Sequence, residues 1–547
     1  MEQVTGGQAA VDVLRELGVK HAFGIVSVHN LPILDAISRT EGITFVPTRH
    51  EQGAAHAADG YARATGQLGV AITSTGPGAA NAMGGMFEAG YASSRVLEIT
   101  GQIDSSYLGK GRGYIHEAPG QLGMLRAVCR RAEAVESREE ITEVVRFVAA
   151  DVLSGRPQPG AVEIPIDYQY ARASRRESAP IEGRREQPLA ADVSAAWAVL
   201  TEARRLLIWA GGGVMTAGAS VELVRLAERL GAPVITTIEG RGAIPEDHPL
   251  CLGPNSDTGP MAPVIDDADV VFAVGTRFQM ANTMHQSLVI QGRLVHLDAD
   301  RAVIGRTHRP EVALVADAKL GLQALLTEAG DGEPAVDAAY VERARTARGA
   351  VEDECRQAMG PDFERITKAI RSALPRDGIV VKDATIAAYV WANRVLPVYE
   401  PRTSIRSTSM AIGPGLPLAI GAALGSGRPT VVIQGDGGFM LSLGELATAV
   451  EQRLPLVVCV FNDGGYGILR WMQDRMLEGR RTGVDLVTPD FAALAQSLGM
   501  NATAVSSADE FDERFGHAVA SGEPWLLDID LGSLHPMEIR PQRRPEA

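Results

Sequence analysis

The chain has 547 residues, 45% apolar and 22% charged, the composition of a globular protein with about three ordinary domains. A net charge of −15 argues against nucleic-acid and anionic-membrane partners, and no run of 18 apolar residues is present to cross a bilayer. Four cysteines without a CxxC pair (Cys129, Cys251, Cys355, Cys459) give neither a disulfide framework nor a zinc site, and no basic region precedes an apolar core at the amino terminus, so the expectation is a cytoplasmic enzyme with a small-molecule substrate.

Residues 8–17 carry helical periodicity, and 19–24 read as a short strand closing on glycine. The loop Ile25-Val26-Ser27-Val28-His29-Asn30 follows. A strand over 43–47 precedes Arg49-His50-Glu51-Gln52-Gly53, and the alanine-rich sequence after Glu51 makes a helix. A carboxylate near a helix start is favoured by the helix dipole alone, so position by itself gives Glu51 no special chemistry. Strands over 70–73 and 96–101 flank Ser74-Thr75-Gly76-Pro77-Gly78 and a small-residue helix carrying Asn81. This alternation predicts an α/β fold with a doubly wound parallel sheet, with a first domain over 1–171. The charged, irregular stretch 172–189 reads as a linker. Strands over 205–210, 233–237, 270–275 and 294–298 predict a central Rossmann-like domain over 190–327. Its Gly211-Gly212-Gly213 turn suits a nucleotide phosphate or merely a tight strand-to-helix turn. A second polar linker spans 328–337, and a third domain of the same kind is expected over 361–547.

In that third domain a strand over 378–381 ends at Lys382-Asp383-Ala384-Thr385, and Ser409 to Pro417 leads into an alanine- and glycine-rich helix. The apolar run Val431-Val432-Ile433 reads as a buried parallel strand ending in Gly435-Asp436-Gly437-Gly438. Glycines there let backbone N–H groups approach an anion, and a helix starting near Glu445 adds its positive end. A second buried strand, 456–461, ends in Asn462-Asp463-Gly464-Gly465. Neighbouring strand ends thus each carry a carboxylate, Asp436 and Asp463, and two such ligands beside phosphate oxygens suit Mg²⁺. Two turn-forming aspartates in an ordinary α/β domain are the plainer reading of the same residues.

Gly435-Asp436-Gly437, a gap of 24 residues and then Asn462-Asp463 resemble the thiamine-diphosphate signature, with Asp463 where Asn is usual. RHEQGAAHAADGYARATG (49–66) and TSTGPGAANAMGG (73–85) resemble the pyrimidine-binding domain of acetohydroxyacid (acetolactate) synthases and related enzymes. The resemblance implies thiamine diphosphate and Mg²⁺ as cofactors. It makes Glu51 the catalytic glutamate, hydrogen-bonded to the aminopyrimidine so that the imino nitrogen removes the thiazolium proton. It makes Asp436, Asp463 and the Gly465 carbonyl the metal ligands. Thr385, Gly413, Gly435, Gly437 and Gly438 border the diphosphate, and Ile412 wedges beneath the cofactor. PVITTIEGRGAIPEDHPLCLG (233–253) resembles the family's FAD-holding central domain, although VGTRFQMANTMH (274–285) departs from its usual Arg-Phe-Asp-Asp-Arg, leaving bound FAD or an empty domain. Active sites shared between the first domain of one subunit and the third of its neighbour imply a homodimer or homotetramer.

The fold alone names no substrate. The first expectation is an acetolactate synthase-like carboligase that decarboxylates pyruvate or a related 2-oxo acid and joins the product to a second carbonyl. The alternatives are a simple 2-oxo acid decarboxylase and a non-catalytic, nucleotide-binding regulatory protein. Val26-Ser27-Val28-His29-Asn30 replaces the synthases' Pro-Gly-Gly-Ala, and Gly113-Tyr114-Ile115-His116-Glu117 stands in place of their Phe-Gln-Glu. No two histidines are adjacent as in pyruvate decarboxylases, and Ser74 stands where benzoylformate decarboxylases carry a catalytic His. His29 and His116 are therefore candidates for proton transfer or carboxylate binding, or ordinary hydrogen-bonded histidines.

Overall fold

The computed structural model describes residues 3–175, 181, 183–283, 286–329 and 336–539. Their β-rich runs form three six-stranded sheets in which every pairing is parallel. Strands such as Gly69–Thr73 and Val270–Val274 are buried along their whole length, as parallel strands covered by helices on both faces must be. The protein has an α/β fold of three sheet domains.

The first sheet orders its strands Thr44–Pro47, His21–Gly24, Gly69–Thr73, Val96–Gln102, Gly160–Pro165, Arg131–Ala134. The third orders them Ser404–Arg406, Ile379–Lys382, Thr430–Gly435, Leu456–Asn462, Trp525–Asp530, Asn501–Val505. Counted along the chain, both read 2-1-3-4-6-5. The strand order reverses between the first and third strands of each sheet, and a crevice opens there beyond the carboxyl ends of the strands. In the first sheet that crevice receives the loops after Gly24 and Thr73; in the third it receives those after Lys382 and Gly435. The central sheet differs: Cys251–Gly253, Val234–Thr236, Leu206–Ala210, Val270–Val274, Arg293–Asp298, Val312–Val315, or 3-2-1-4-5-6.

Several local expectations are corrected. Arg172–Ser174, read as linker, is a strand that pairs antiparallel with Gln3–Thr5. The helix expected near Glu445 is present as Glu445–Glu451, and what the expectation lacked is a short additional helix, Asp436–Phe439, that begins at the glycine turn itself. Two glycines in the first turn hid it from a propensity argument. A helix spanning Ala338–Ala373 is broken at Gly360, whose φ of 76° no β-carbon favours, with Pro361 following. Tyr340 and Ala344 pack in the central core and Phe363 and Ile366 in the third. Residues 176–180, 182 and 330–335 of the expected linkers lie outside the described residues.

The first and third domains dock by backbone contact. Helix Glu51–Thr65 crosses helix Gly415–Ser426 so closely that a β-carbon on Gly60 would lie 1.9 Å from the Leu418 carbonyl oxygen. Beside this crossing, buried Glu88 accepts from Arg63 at 2.8 Å, Thr408 N at 2.6 Å and Ser409 N at 2.9 Å. Burial pushes the Glu88 carboxyl up, but Arg63 and these donors outweigh it and hold it at about 2.

Candidate active site

Glu51 is the first residue of its helix, 9% exposed, with one oxygen accepting from Asn81 Nδ2 at 3.0 Å. Its other oxygen takes no hydrogen bond among the described residues and faces Gly78, where an added β-carbon would lie 3.1 Å away. The carboxylate is thus held at one end and free at the other. Asn81 sits on helix Pro77–Ala92, which the Gly76-Pro77-Gly78 turn starts over the same crevice.

His29 lies on the neighbouring loop. It is 4% exposed, and Nδ1 is buried without a hydrogen-bond partner among the described residues. Its ring centre is 5.1 Å from that of His116, which reaches in from an exposed loop with a φ of 66°. Burial first, and then the His116 charge, lower the His29 pKa below 6.5. Ser27 Oγ and Ser74 Oγ are 2.6 Å apart at the same place. The sequence shows no adjacent histidine pair; the fold makes one in space. Val26 and Val28 on this loop are 61% and 63% exposed, giving the rim an apolar face.

The second group lies at the crevice of the third sheet. The strand ends at Gly435 and Asn462 are hydrogen-bonded neighbours, which sets Asp436 beside Asp463: Asp463 N donates to Asp436 Oδ1 at 3.4 Å. Asp436 Oδ2 is buried with no hydrogen-bond partner among the described residues. Burial, and then the charge of Asp463, push the Asp436 carboxyl up to about 6; burial also raises Asp463, opposed by Arg470. A buried Asp436 with an unpartnered oxygen beside a half-buried Asp463 is chemically suited to a hard divalent cation, and these residues fit Mg²⁺. Gly465, with φ 154° and a β-carbon position 2.0 Å from the Val484 carbonyl, turns the chain where no side chain fits.

Around this pair the glycines form a cradle. A β-carbon on Gly438 would approach Asp383 Oδ2 at 3.1 Å and Gly413 N at 3.4 Å, and one on Gly435 would lie 3.0 Å from Thr385 Oγ1. Buried Asp383, pushed by burial to about 6, accepts from Gly413 N at 2.8 Å and so fixes the turn after half-buried Ile412. The described residues therefore gather Thr385, Ile412, Gly413, Gly435, Asp436, Gly437, Gly438, Asp463 and Gly465 at one place. This arrangement suits a diphosphate held through a metal ion and backbone amides.

No hydrogen bond among the described residues joins the Glu51–His29–His116 group to the cradle. The two halves adjoin through Glu445, whose carboxylate accepts Arg49 N at 3.0 Å and His50 N at 3.1 Å. The roles of Asp383 and Glu445 depend on partners far along the chain, Gly413 and Gln434 for the first and Arg49 and His50 for the second, whereas Arg470 meets Asp463 close by in the sequence.

In the central sheet, a β-carbon on Gly211 would lie 2.2 Å from the Gly275 carbonyl and one on Gly213 2.6 Å from Gly275 Cα. Crossing of the two strand ends thus accounts for these glycines without a ligand. A cleft lined by Arg156, Thr237, Glu239, Thr276, Arg277 and Asp298 nevertheless opens at this switch point.

Three family descriptions match the chain in order: Thiamine pyrophosphate enzyme, N-terminal TPP binding domain over 4–124, central domain over 193–325, and C-terminal TPP binding domain over 387–529. The chain is 33% identical to a probable acetolactate synthase large subunit of Methanocaldococcus jannaschii, across 98% of this chain and 93% of that one. It is 37% identical to a probable 2-ketoarginine decarboxylase of Pseudomonas aeruginosa, across 93% and 90%. It is 32% identical to the acetolactate synthase large subunit of Corynebacterium glutamicum, across 93% and 84%.

Proposed function

The chain belongs to the thiamine pyrophosphate enzymes, and on that premise we propose that it is a Mg²⁺-dependent, acetolactate synthase-like carboligase. It decarboxylates pyruvate or a related 2-oxo acid and joins the remaining fragment to a second carbonyl. Thiamine diphosphate, when bound, supplies a nucleophilic carbon and an electron sink for the departing CO₂.

The observation that carries this reading is Glu51: a buried carboxylate tethered by Asn81 on one oxygen and open on the other. Such a group can hold a proton at a ring nitrogen in a water-poor site. Asp436, Asp463 and the Gly465 carbonyl would hold the metal ion, and Thr385, Gly413, Gly435, Gly437 and Gly438 would border the diphosphate. Ile412 would support the cofactor from below. The apolar rim of Val26 and Val28 suits an acceptor that must meet the reactive carbon before water does.

A second reading, simple decarboxylation, is favoured by the His29–His116 pair, which places two titratable rings beside Glu51's crevice. Incubating the purified protein with a panel of 2-oxo acids and identifying products by mass decides between them. A 2-hydroxyketone supports the carboligase, an aldehyde the decarboxylase, and no CO₂ from any substrate overturns both.

The domain limits 1–171, 190–327 and 361–547 each enclose one sheet, and the break at Gly360 supports the last. For the central domain the alternatives are bound FAD and an empty cleft; the opening beside Thr276, Arg277 and Asp298, at the switch point of a 3-2-1-4-5-6 sheet, supports FAD. Flavin absorbance in gently isolated protein supports it; colourless protein removes it. A homodimer or homotetramer whose neighbouring subunits complete each site is part of the same proposal, supported by membership of the family. No described helix is long and apolar enough to cross a membrane; a cytoplasmic setting is part of the same proposal.

A further inference from the structure

Arg470 lies on helix Gly467–Met476, just past the Asp463–Gly465 turn. Each nitrogen of its guanidinium is engaged. Nε donates to Asp485 Oδ1 at 2.8 Å. Nη2 donates to the Asp463 and Gly464 carbonyls at 3.4 and 3.3 Å. Nη1 sits 3.4 Å from Asp463 Oδ2. The anchor on the far side is tied to the same turn by backbone: Tyr466 N donates to the Val484 carbonyl at 2.8 Å, and Leu486 N to the Gly464 carbonyl at 2.8 Å. Asp463 and Gly465 therefore hang between a short backbone clip and one planar cation.

We propose that Arg470 is a positioning residue for the divalent ion, its fork holding the Asp463 carboxylate and the Gly464–Gly465 turn in ligand-ready form. The inference rests on the metal-ligand reading given above. The physical argument has two parts. Asp463 sets a second carboxylate beside Asp436, whose Oδ2 has no hydrogen-bond partner among the described residues, so like groups adjoin there until a cation is near. Arg470 offsets the charge at Asp463 Oδ2, 3.4 Å from its Nη1. The turn also contains two successive glycines with φ of 74° and 154°, a pliable backbone that needs an outside clamp to keep one carbonyl direction. Groups that orient metal ligands from behind commonly change metal affinity by about 10- to 100-fold when removed.

A guanidinium serves Asp485, two carbonyls and Asp463 at once, and an ammonium offers one nitrogen to the same task. Charge and geometry are thereby separable. The experiment is titration of Mn²⁺, followed by its electron paramagnetic resonance signal, into full-length protein with thiamine diphosphate present. Wild type, Arg470→Gln, Arg470→Lys and Asp485→Asn are compared, with thermal unfolding of the metal-free proteins recorded alongside. The expectation is about 10-fold or greater weakening of Mn²⁺ binding in Arg470→Gln, little rescue by Arg470→Lys, and a smaller loss in Asp485→Asn. Full rescue by lysine, or unchanged affinity in Arg470→Gln, overturns the inference. If Arg470→Gln does not fold, Asp485→Asn with wild-type affinity overturns it instead. Wild type that binds no Mn²⁺ saturably defeats the ligand assignment itself, a result distinct from either.

Discussion

Glu98 offers the sharpest test of the electrostatics beneath the first crevice. It lies on strand Val96–Gln102, wholly buried, with Oε1 accepting from Thr73 Oγ1 at 2.9 Å and Oε2 without a hydrogen-bond partner among the described residues. A carboxylate with one hydrogen bond in such a place is costly, so the group keeps its proton. Burial first, opposed by the Thr73 bond and aided by the charge of Glu51, pushes its pKa from 4.5 to about 8. Because the folded-state value lies above the unfolded one, the folded chain holds a proton that the unfolded chain releases. The stabilisation is complete below pH 4.5 and is lost as pH climbs toward 8. At about 1.36 kcal/mol for each pH unit in that window, the ceiling is about 5 kcal/mol. Glu98→Gln replaces the neutral acid by a neutral amide of nearly the same shape. Urea unfolding midpoints of wild type and variant should agree near pH 4, and the variant should become progressively more stable than wild type toward pH 8. Other titrating groups are common to both proteins and cancel in the difference. Parallel midpoint curves across that range would refute a protonated Glu98.

Glu51→Gln is expected to fold and keep thiamine diphosphate but to slow exchange of the cofactor's reactive proton by about 100-fold or more, measured by quenched-flow NMR; near-normal exchange contradicts its role. Asp436→Ala should lose metal-dependent retention of the cofactor in equilibrium dialysis, and unchanged affinity would count against the ligand set. In His116→Ala one of the two causes that lower the His29 pKa is gone, so an acid limb due to His29 should move up toward 6.5 in the rate profile; a limb that stays put removes His29 from it. Sedimentation at assay concentration should show a dimer or larger species, and a fully active monomer is incompatible with shared sites.

The interior strands were readable because parallel strands covered on both faces appear as unbroken apolar runs: Val431 to Ile433, Leu456 to Phe461, Val70 to Ile72. The edge strands Arg131–Ala134, Ser404–Arg406 and Asn501–Val505 are short and partly polar, and no periodicity marks them. The same division holds in the site. Asp436 and Asp463 are legible because each stands at the end of an apolar strand within one stretch of chain. The His29–His116 pair and the Asp383–Gly413 bond depend on which strand ends lie side by side, and nothing local encodes that.

The segment 49–66 repays a closer look, because most of what makes it recognisable is not chemistry. Only Glu51 at its head has a free carboxylate oxygen facing the crevice. A β-carbon on Gly53 would meet Glu445 Oε1 at 2.2 Å and displace the oxygen that accepts from Arg49 N and His50 N. Gly60 admits the Leu418 carbonyl, and Arg63 is consumed by Asp59 and Glu88. Alanines fill the remainder because the helix is buried on nearly every side and larger side chains would have nowhere to go. The pattern is therefore a docking surface with one reactive group mounted at its end. Substitutions at Gly53, Gly60 or Arg63 should impair assembly of the two domains, whereas a change at Glu51 should spare it. Matching this pattern consequently speaks first for the way the domains meet, and Glu51 must be tested by its own chemistry.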